Sequence, residues 1–165
     1  MRKTKIKRLS IAEFRTYGAF ANMIDPQAIR IGEPPVQFFR DMLQLELGAK
    51  TASFSICRVT KRPLIVDQTE FHSSCGEGIL PLDGDVLIHV GFATPNGVVP
   101  LDELEVFLVP RGTLVTLRPG VWHHAPFAWE TECVNVLIVL PERAYANDCA
   151  VYEIPPEKQT EIEPS

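Results

Sequence analysis

Apolar and polar residues alternate in short runs along most of this chain. From Thr51 to Val59, Ala52, Phe54 and Ile56 fall on one side and Ser53, Ser55 and Cys57 on the other. That is the period of two expected of an extended strand. Further strand-like runs lie at 36–46, 63–66, 69–72, 78–81, 86–92, 104–109, 113–117, 133–140 and 150–154. The connectors carry turn residues: Leu82-Asp83-Gly84-Asp85, Pro95-Asn96-Gly97, Pro110-Arg111-Gly112 and Arg118-Pro119-Gly120,. Helical periodicity shows once, where Ser10-Ile11-Ala12-Glu13 reads as a capping box opening a short helix to about Arg15, ahead of Tyr17-Gly18,. Residues 21–35 read as a loop. Many short strands with regular turns and one early helix predict a mainly β sandwich or barrel.

Composition sets the bounds. A chain of 165 residues, 45% hydrophobic, suits one core better than two,. We expect one domain over 1–154 and an acidic, frayed tail over 155–165. The net charge of −5 and pI near 5.4 give no global attraction to nucleic acid or an anionic membrane,. Five basic residues (Arg2, Lys3, Lys5, Lys7, Arg8) crowd the start, but no apolar core of a signal peptide follows,. They are expected to be a solvated edge. No apolar run approaches the roughly 18–20 residues that span a bilayer. The expectation is a soluble, cytoplasmic protein with no nucleic-acid or membrane partner. Its four cysteines (57, 75, 133, 149) show no metal-knuckle spacing and are expected as reduced thiols, Cys57 and Cys133 in the core.

The chemistry concentrates in two places. Trp122-His123-His124 follows the Pro-Gly turn, and alternation lets only one of its two histidines face inward,; His123 is the candidate. Some fifty residues earlier, Glu70 and His72 stand two apart, the spacing that aims both at one face, and Glu77 follows. Two imidazoles with one or two carboxylates make an adequate donor set for Zn²⁺, Ni²⁺, Mn²⁺ or Fe²⁺. Arg58, on the Phe54/Ile56 side of its strand, would need an anion if that side faced inward, which makes it a substrate-binding candidate. His89, alone among apolar neighbours, reads as a hydrogen-bonded core residue.

The order His72, Glu77, Gly84, then Gly120 and His123, resembles the two motifs of the cupin superfamily, with Glu70 where a first histidine would stand. A closer likeness covers nearly the whole chain. Ile11-Ala-Glu-Phe-Arg-Thr-Tyr-Gly18, Glu70-Phe71-His72 with Leu80-Pro81 and Gly84-Asp85-Val86, Val121-Trp122-His123-His124 with Pro126-Phe127-Ala128-Trp129, and Asn147-Asp148-Cys149 resemble, in order, the ureidoglycolate lyase family of allantoin catabolism. The resemblance implies a homodimeric cupin-like β-barrel (a double-stranded β-helix or jelly roll) that cleaves ureidoglycolate to glyoxylate and urea. It makes His72, His123 and Glu70 the catalytic candidates, and Glu70, His72, Glu77 and His123 the metal candidates. Arg118 becomes a carboxylate clamp if its side chain turns inward. Arg118-Pro119 and Glu77 are the positions near the presumed site where the chain departs from that family's pattern. Two other classes remain open: a metal-dependent cupin dioxygenase or isomerase acting on a small organic acid, and a non-catalytic small-acid-binding cupin.

Overall fold

The computed structural model describes residues 1–164. In chain order its elements are β1 (Arg2–Arg8), α1 (Ile11–Phe14), β2 (Gly18–Asn22), β3 (Arg30–Ile31), β4 (Phe38–Phe39), β5 (Ala52–Thr60), β6 (Ile65–Val66), β7 (Gln68–Phe71) and β8 (Glu77–Pro81). Then come β9 (Asp85–Val90), β10 (Glu105–Val109), β11 (Thr113–Leu117), β12 (Phe127–Trp129), β13 (Cys133–Pro141), α2 (Ala144–Asn147), β14 (Ala150–Glu153) and β15 (Thr160–Glu163). A six-stranded sheet runs β12-β9-β10-β1-β15-β6, and a five-stranded sheet runs β2-β11-β8-β13-β5. The ribbons β14-β7 and β3-β4 stand apart.

The two sheets share one core. Val86, Ile88 and Val90 of β9 and Phe107 and Val109 of β10 meet Ile79 of β8, Val115 and Leu117 of β11, and Val134, Val136 and Ile138 of β13. Phe14 of α1 plugs this layer with its ring 5.1 Å from that of Phe107, edge to face. α1 starts as its sequence dictates, with the Ser10 hydroxyl accepting from the Glu13 N–H at 3.3 Å,. The alternate residues of β9 and β10, Leu87 and Val106, join Val66, Leu104, Phe127, Ile154 and Ile162 in a second cluster. Strands buried on both faces read as near-continuous apolar runs, as 86–90 does but for His89. β13 is covered on one face only, and its residues alternate between buried and partly exposed.

Several expectations are corrected. The basic start is solvated, with Lys3, Lys5 and Arg8 exposed, but it is no edge: β1 is an interior strand, parallel to both β10 and β15. Nor is 155–163 a frayed tail. Thr160 and Ile162 are buried, while Glu161 and Glu163 face outward and pair with Lys3. The cause is complementary alternation, in which Lys-x-Lys on β1 meets Glu-x-Glu on β15 across one face. Ser165, the last residue of that expected tail, lies outside the described residues.

The expected strand over 36–46 is reduced to β4, because no sheet strand pairs with the remainder. The expected loop over 21–35 contains the end of β2 and all of β3. On β5 the inward face is the reverse of the one apolarity suggests. Cys57 and Val59 lie opposite the buried Val136 and Val134 of β13, and directly paired residues share a face. Phe54 and Ile56 therefore point out, 69% and 54% exposed. Cys133, expected in the core, is exposed at the start of β13.

Candidate functional site

Glu70, His72, Glu77 and His123 converge, each offering a ligand atom within 4.8 Å of the others. Backbone pairing explains the convergence. Glu70 and His123 form an antiparallel bridge, Glu70 N–H donating to the His123 carbonyl at 2.6 Å and His123 N–H to the Glu70 carbonyl at 2.8 Å. Opposed residues project to one side, and His72, two beyond Glu70, joins them. The Gly120 N–H continues the ladder to the His72 carbonyl at 2.7 Å. Gly120 sits at φ 81, where a Cβ would also fall 2.9 Å from that of Ala93; the turn into the site requires glycine there.

The intervening residues go to the other side. Phe71 and Trp122 pack with ring centroids 4.5 Å apart and their planes tilted by 58°, and the Trp122 indole N–H donates to Thr94 Oγ1 at 3.0 Å. His123 is thus the inward histidine, 3% exposed, and the partly buried His124 takes the opposite side. Glu77 arrives from the five-stranded sheet, as the first residue of β8 paired to Leu117 of β11. Gly76 before it has Leu117 O only 2.2 Å from where a Cβ would stand, so this entry too is confined to glycine.

Each imidazole is oriented from behind. The Nδ1–H of His72 donates to the Asp148 carbonyl at 2.5 Å, and that of His123 to the Val121 carbonyl at 2.8 Å. With Nδ1 carrying the proton, both Nε2 atoms point at one oxygen, Oε2 of Glu77, from 3.1 and 3.0 Å. Lone pairs from two nitrogens and a carboxylate aimed at one place repel unless a cation lies among them. Protons supply it when no metal does. Burial alone disfavours charge on these groups, but the Glu77 carboxylate holds both histidines above their usual 6.5. The reverse holds for Glu77, where burial pushes upward and the charges and hydrogen bonds of His123 and His72 outweigh it, drawing it down to about 2,. A divalent ion would displace those protons and meet two nitrogens and two carboxylates, with both rings already fixed from behind. The donor set fits.

The rim and the back of the site are also defined. Glu70 is less buried than its partners and accepts a hydrogen bond from the Cys149 thiol at 3.5 Å. Burial and the Glu70 charge push that thiol up to about 12, so it stays protonated. Tyr145 of α2 presents its ring edge to His72 at 6.4 Å. Behind His123, the Thr69 hydroxyl donates to the His123 carbonyl at 3.1 Å and accepts from His89 Nε2 at 3.2 Å. His89 is a fully buried, neutral core histidine, held well below its usual value by desolvation.

Neither expected arginine reaches the cluster. Arg58 lies on the outer face of β5, donating to Asn135 Oδ1 at 2.8 Å. The β5–β13 register that turns Cys57 inward turns Arg58 out. Arg118 is exposed and tied through Nη1 to the carbonyls of Arg15 and Thr16. Asp148, Cys149 and Tyr145 were not singled out by chemistry in the sequence, although two of them lie in the Asn147-Asp148-Cys149 block.

Two facing β-sheets around one core, with two histidines and two glutamates gathered into a cluster that could hold a metal ion, define a mainly β, barrel-type protein. The sequence model of the family described as Ureidoglycolate lyase matches residues 1–162, and the chain belongs to that family. The ureidoglycolate lyases of Salmonella paratyphi B and Salmonella typhimurium are each 25% identical over 150 residues, covering 86% of this chain and 89% of theirs. Among solved structures, Bacillus subtilis oxalate decarboxylase, an enzyme with Mn(II) centres, overlaps 63% of this chain and 24% of its own at 15% identity, with a TM-score of 0.43.

Proposed function

We propose that this protein is a lyase that cleaves ureidoglycolate to glyoxylate and urea. The observation that carries the reading is the buried Glu77 carboxylate shared by two backbone-oriented imidazoles, with Glu70 beside them, in a chain of this family. The substrate carbon bears a hydroxyl and a ureido nitrogen. Its cleavage needs a base for the hydroxyl proton, charge stabilisation on that oxygen, and a proton for the departing nitrogen. Glu70, the least buried of the four, takes the hydroxyl proton. The C–N bond breaks as the C=O bond forms, and Glu70 returns the proton to the ureido nitrogen, so that atoms and charge balance.

His72, His123 and Glu77 hold the positive charge against which the oxygen develops. A divalent metal bound by Glu70, His72, Glu77 and His123 would supply Lewis-acid stabilisation there; Zn²⁺, Ni²⁺, Mn²⁺ and Fe²⁺ all suit the donors. With Arg58 and Arg118 turned away, the substrate carboxylate is assigned to this same cationic centre. The family resemblance also supports a homodimer and a cytoplasmic location, which we propose with it. The mixed nitrogen and oxygen donor set supports one second reading, an iron-dependent cupin dioxygenase.

Glyoxylate release from ureidoglycolate, measured for wild type and His123→Ala alongside metal analysis, tests the proposal. Turnover in the wild type and its loss in the variant is the expected result. Wild-type inactivity overturns the substrate, and stoichiometric iron with no glyoxylate release favours the second reading. Turnover that survives His123→Ala overturns the site.

A further inference from the structure

The two cluster histidines are supported differently. His123 leans on Val121, two residues back in its own segment, whereas His72 leans on Asp148, 76 residues away. A carbonyl that distant orients a ring only if something fixes it, and α2, which leads into it, is a single turn with Tyr145, Ala146 and Asn147 exposed. What fixes it is the side chain of Asp148 itself. One carboxylate oxygen accepts from the Ser73 N–H at 2.7 Å and the Ser73 hydroxyl at 2.6 Å. The other accepts from the Ser74 N–H at 2.8 Å, the Ser74 hydroxyl at 2.6 Å and the Cys75 thiol at 3.6 Å. No other carboxylate among the described residues collects as many donors. The donors belong to the loop that leaves His72, so Asp148 grips the chain on both sides of the ring: the imidazole by its carbonyl, the next two residues by its carboxylate.

We propose that Asp148 is the positioning residue of the site, setting the tautomer and aim of His72 through this two-point attachment. The proposal rests on the reading of His72 as a member of the functional cluster. Asp148 touches neither Glu77 nor, on this account, substrate. It acts by holding the His72 Nδ1–H on its own carbonyl, which leaves the Nε2 edge aimed at Glu77 whether a proton or a metal ion lies between them, and it holds α2 so that Tyr145 stays beside the same ring. Partners behind a ligating histidine carry a measurable share of metal affinity.

The test uses Asp148→Ala, Asp148→Asn and the double variant Ser73→Ala/Ser74→Ala, with Val136→Ala as a core variant that destabilises without touching the loop. Zn²⁺ affinity is read by competition with a fluorescent chelator. The His72 tautomer is read from long-range ¹⁵N–¹H side-chain spectra of the metal-free protein at a pH high enough for the ring to have lost its second proton, and KM and kcat are measured separately. Asp148→Ala is expected to weaken Zn²⁺ by about 10- to 100-fold and to turn a single Nδ1–H signal for His72 into a mixture. Asp148→Asn, which keeps one accepting oxygen, and the serine double variant should fall between it and wild type; they also decide the matter if Asp148→Ala does not fold. Val136→Ala should leave both readouts unchanged. An Asp148→Ala protein with wild-type affinity and tautomer overturns the proposal, as does an equal loss in Val136→Ala. A wild type that binds no Zn²⁺ removes the metal from the site reading, and the tautomer then decides Asp148 alone.

Discussion

Replacing Glu77 by glutamine keeps its shape and removes its charge, and the structure predicts how the cost depends on pH. Glu77 lies at about 2 in the fold against an ordinary 4.5. At roughly 1.4 kcal/mol per unit, that difference amounts to about 3 kcal/mol of stabilisation. A carboxylate depressed by folding contributes above its unfolded value, and the contribution is lost as pH falls from 4.5 through about 2. The histidines are raised above 6.5, so their contribution is complete below 6.5 and fades as pH rises through their folded values. The stability difference between wild type and Glu77→Gln should therefore peak between about pH 4.5 and 6.5 and narrow on both sides. Urea denaturation with a chelator present, from pH 4 to 9, measures it. A difference that stays flat across that range, or one that grows above pH 8, would refute a cluster held together by imidazolium–carboxylate pairing.

The remaining expectations are simpler. Thr69→Val removes the bridge between His89 and the His123 carbonyl in a fully buried setting, and should cost about 1–3 kcal/mol in chemical denaturation. Ile162→Ala should cost about 2–5 kcal/mol; a loss under about 0.5 kcal/mol would mean that β15 is not part of the sheet in solution. Phe54→Lys with Ile56→Lys, on the exposed face of the edge strand β5, should leave stability within about 0.5 kcal/mol and, where the proposed homodimer forms through that face, shift sedimentation from dimer to monomer. A dimer that survives the pair of lysines rules out that face as its interface.

The site was more legible in the sequence than the edges of the fold. Glu70, His72 and His123 are legible because a spacing of two survives any extended pairing, and the Phe71–Trp122 contact shows the alternate residues taking the other face. Apolarity alone points the wrong face of β5 inward, and Arg58 with it. The choice is made by pairing, since Cys57 and Val59 must follow Val136 and Val134 of β13. The stretch over 36–46 misled for a related reason: an apolar run makes a strand only when a neighbour accepts its backbone hydrogen bonds, and most of this run has none. Asp148 was illegible as chemistry. Its work depends on a loop closure across 76 positions, and nothing local to Asn147-Asp148-Cys149 announces that Ser73 and Ser74 will be there.

The parallel pairing of β1 with β15 sets a schedule for synthesis. Arg2–Lys5 cannot complete its ladder until Thr160–Glu163 has emerged, which at 5–20 residues per second is a wait of roughly 10–30 s. For that interval one edge of β1 is open, the kind of backbone row that recruits foreign strands. Lys3 and Lys5 point outward along it, and alternating charge is what discourages such recruitment. The outward lysines of β1 are the kind of charge that keeps an open edge from pairing elsewhere, and Lys3 meets Glu161 and Glu163 once β15 is in place.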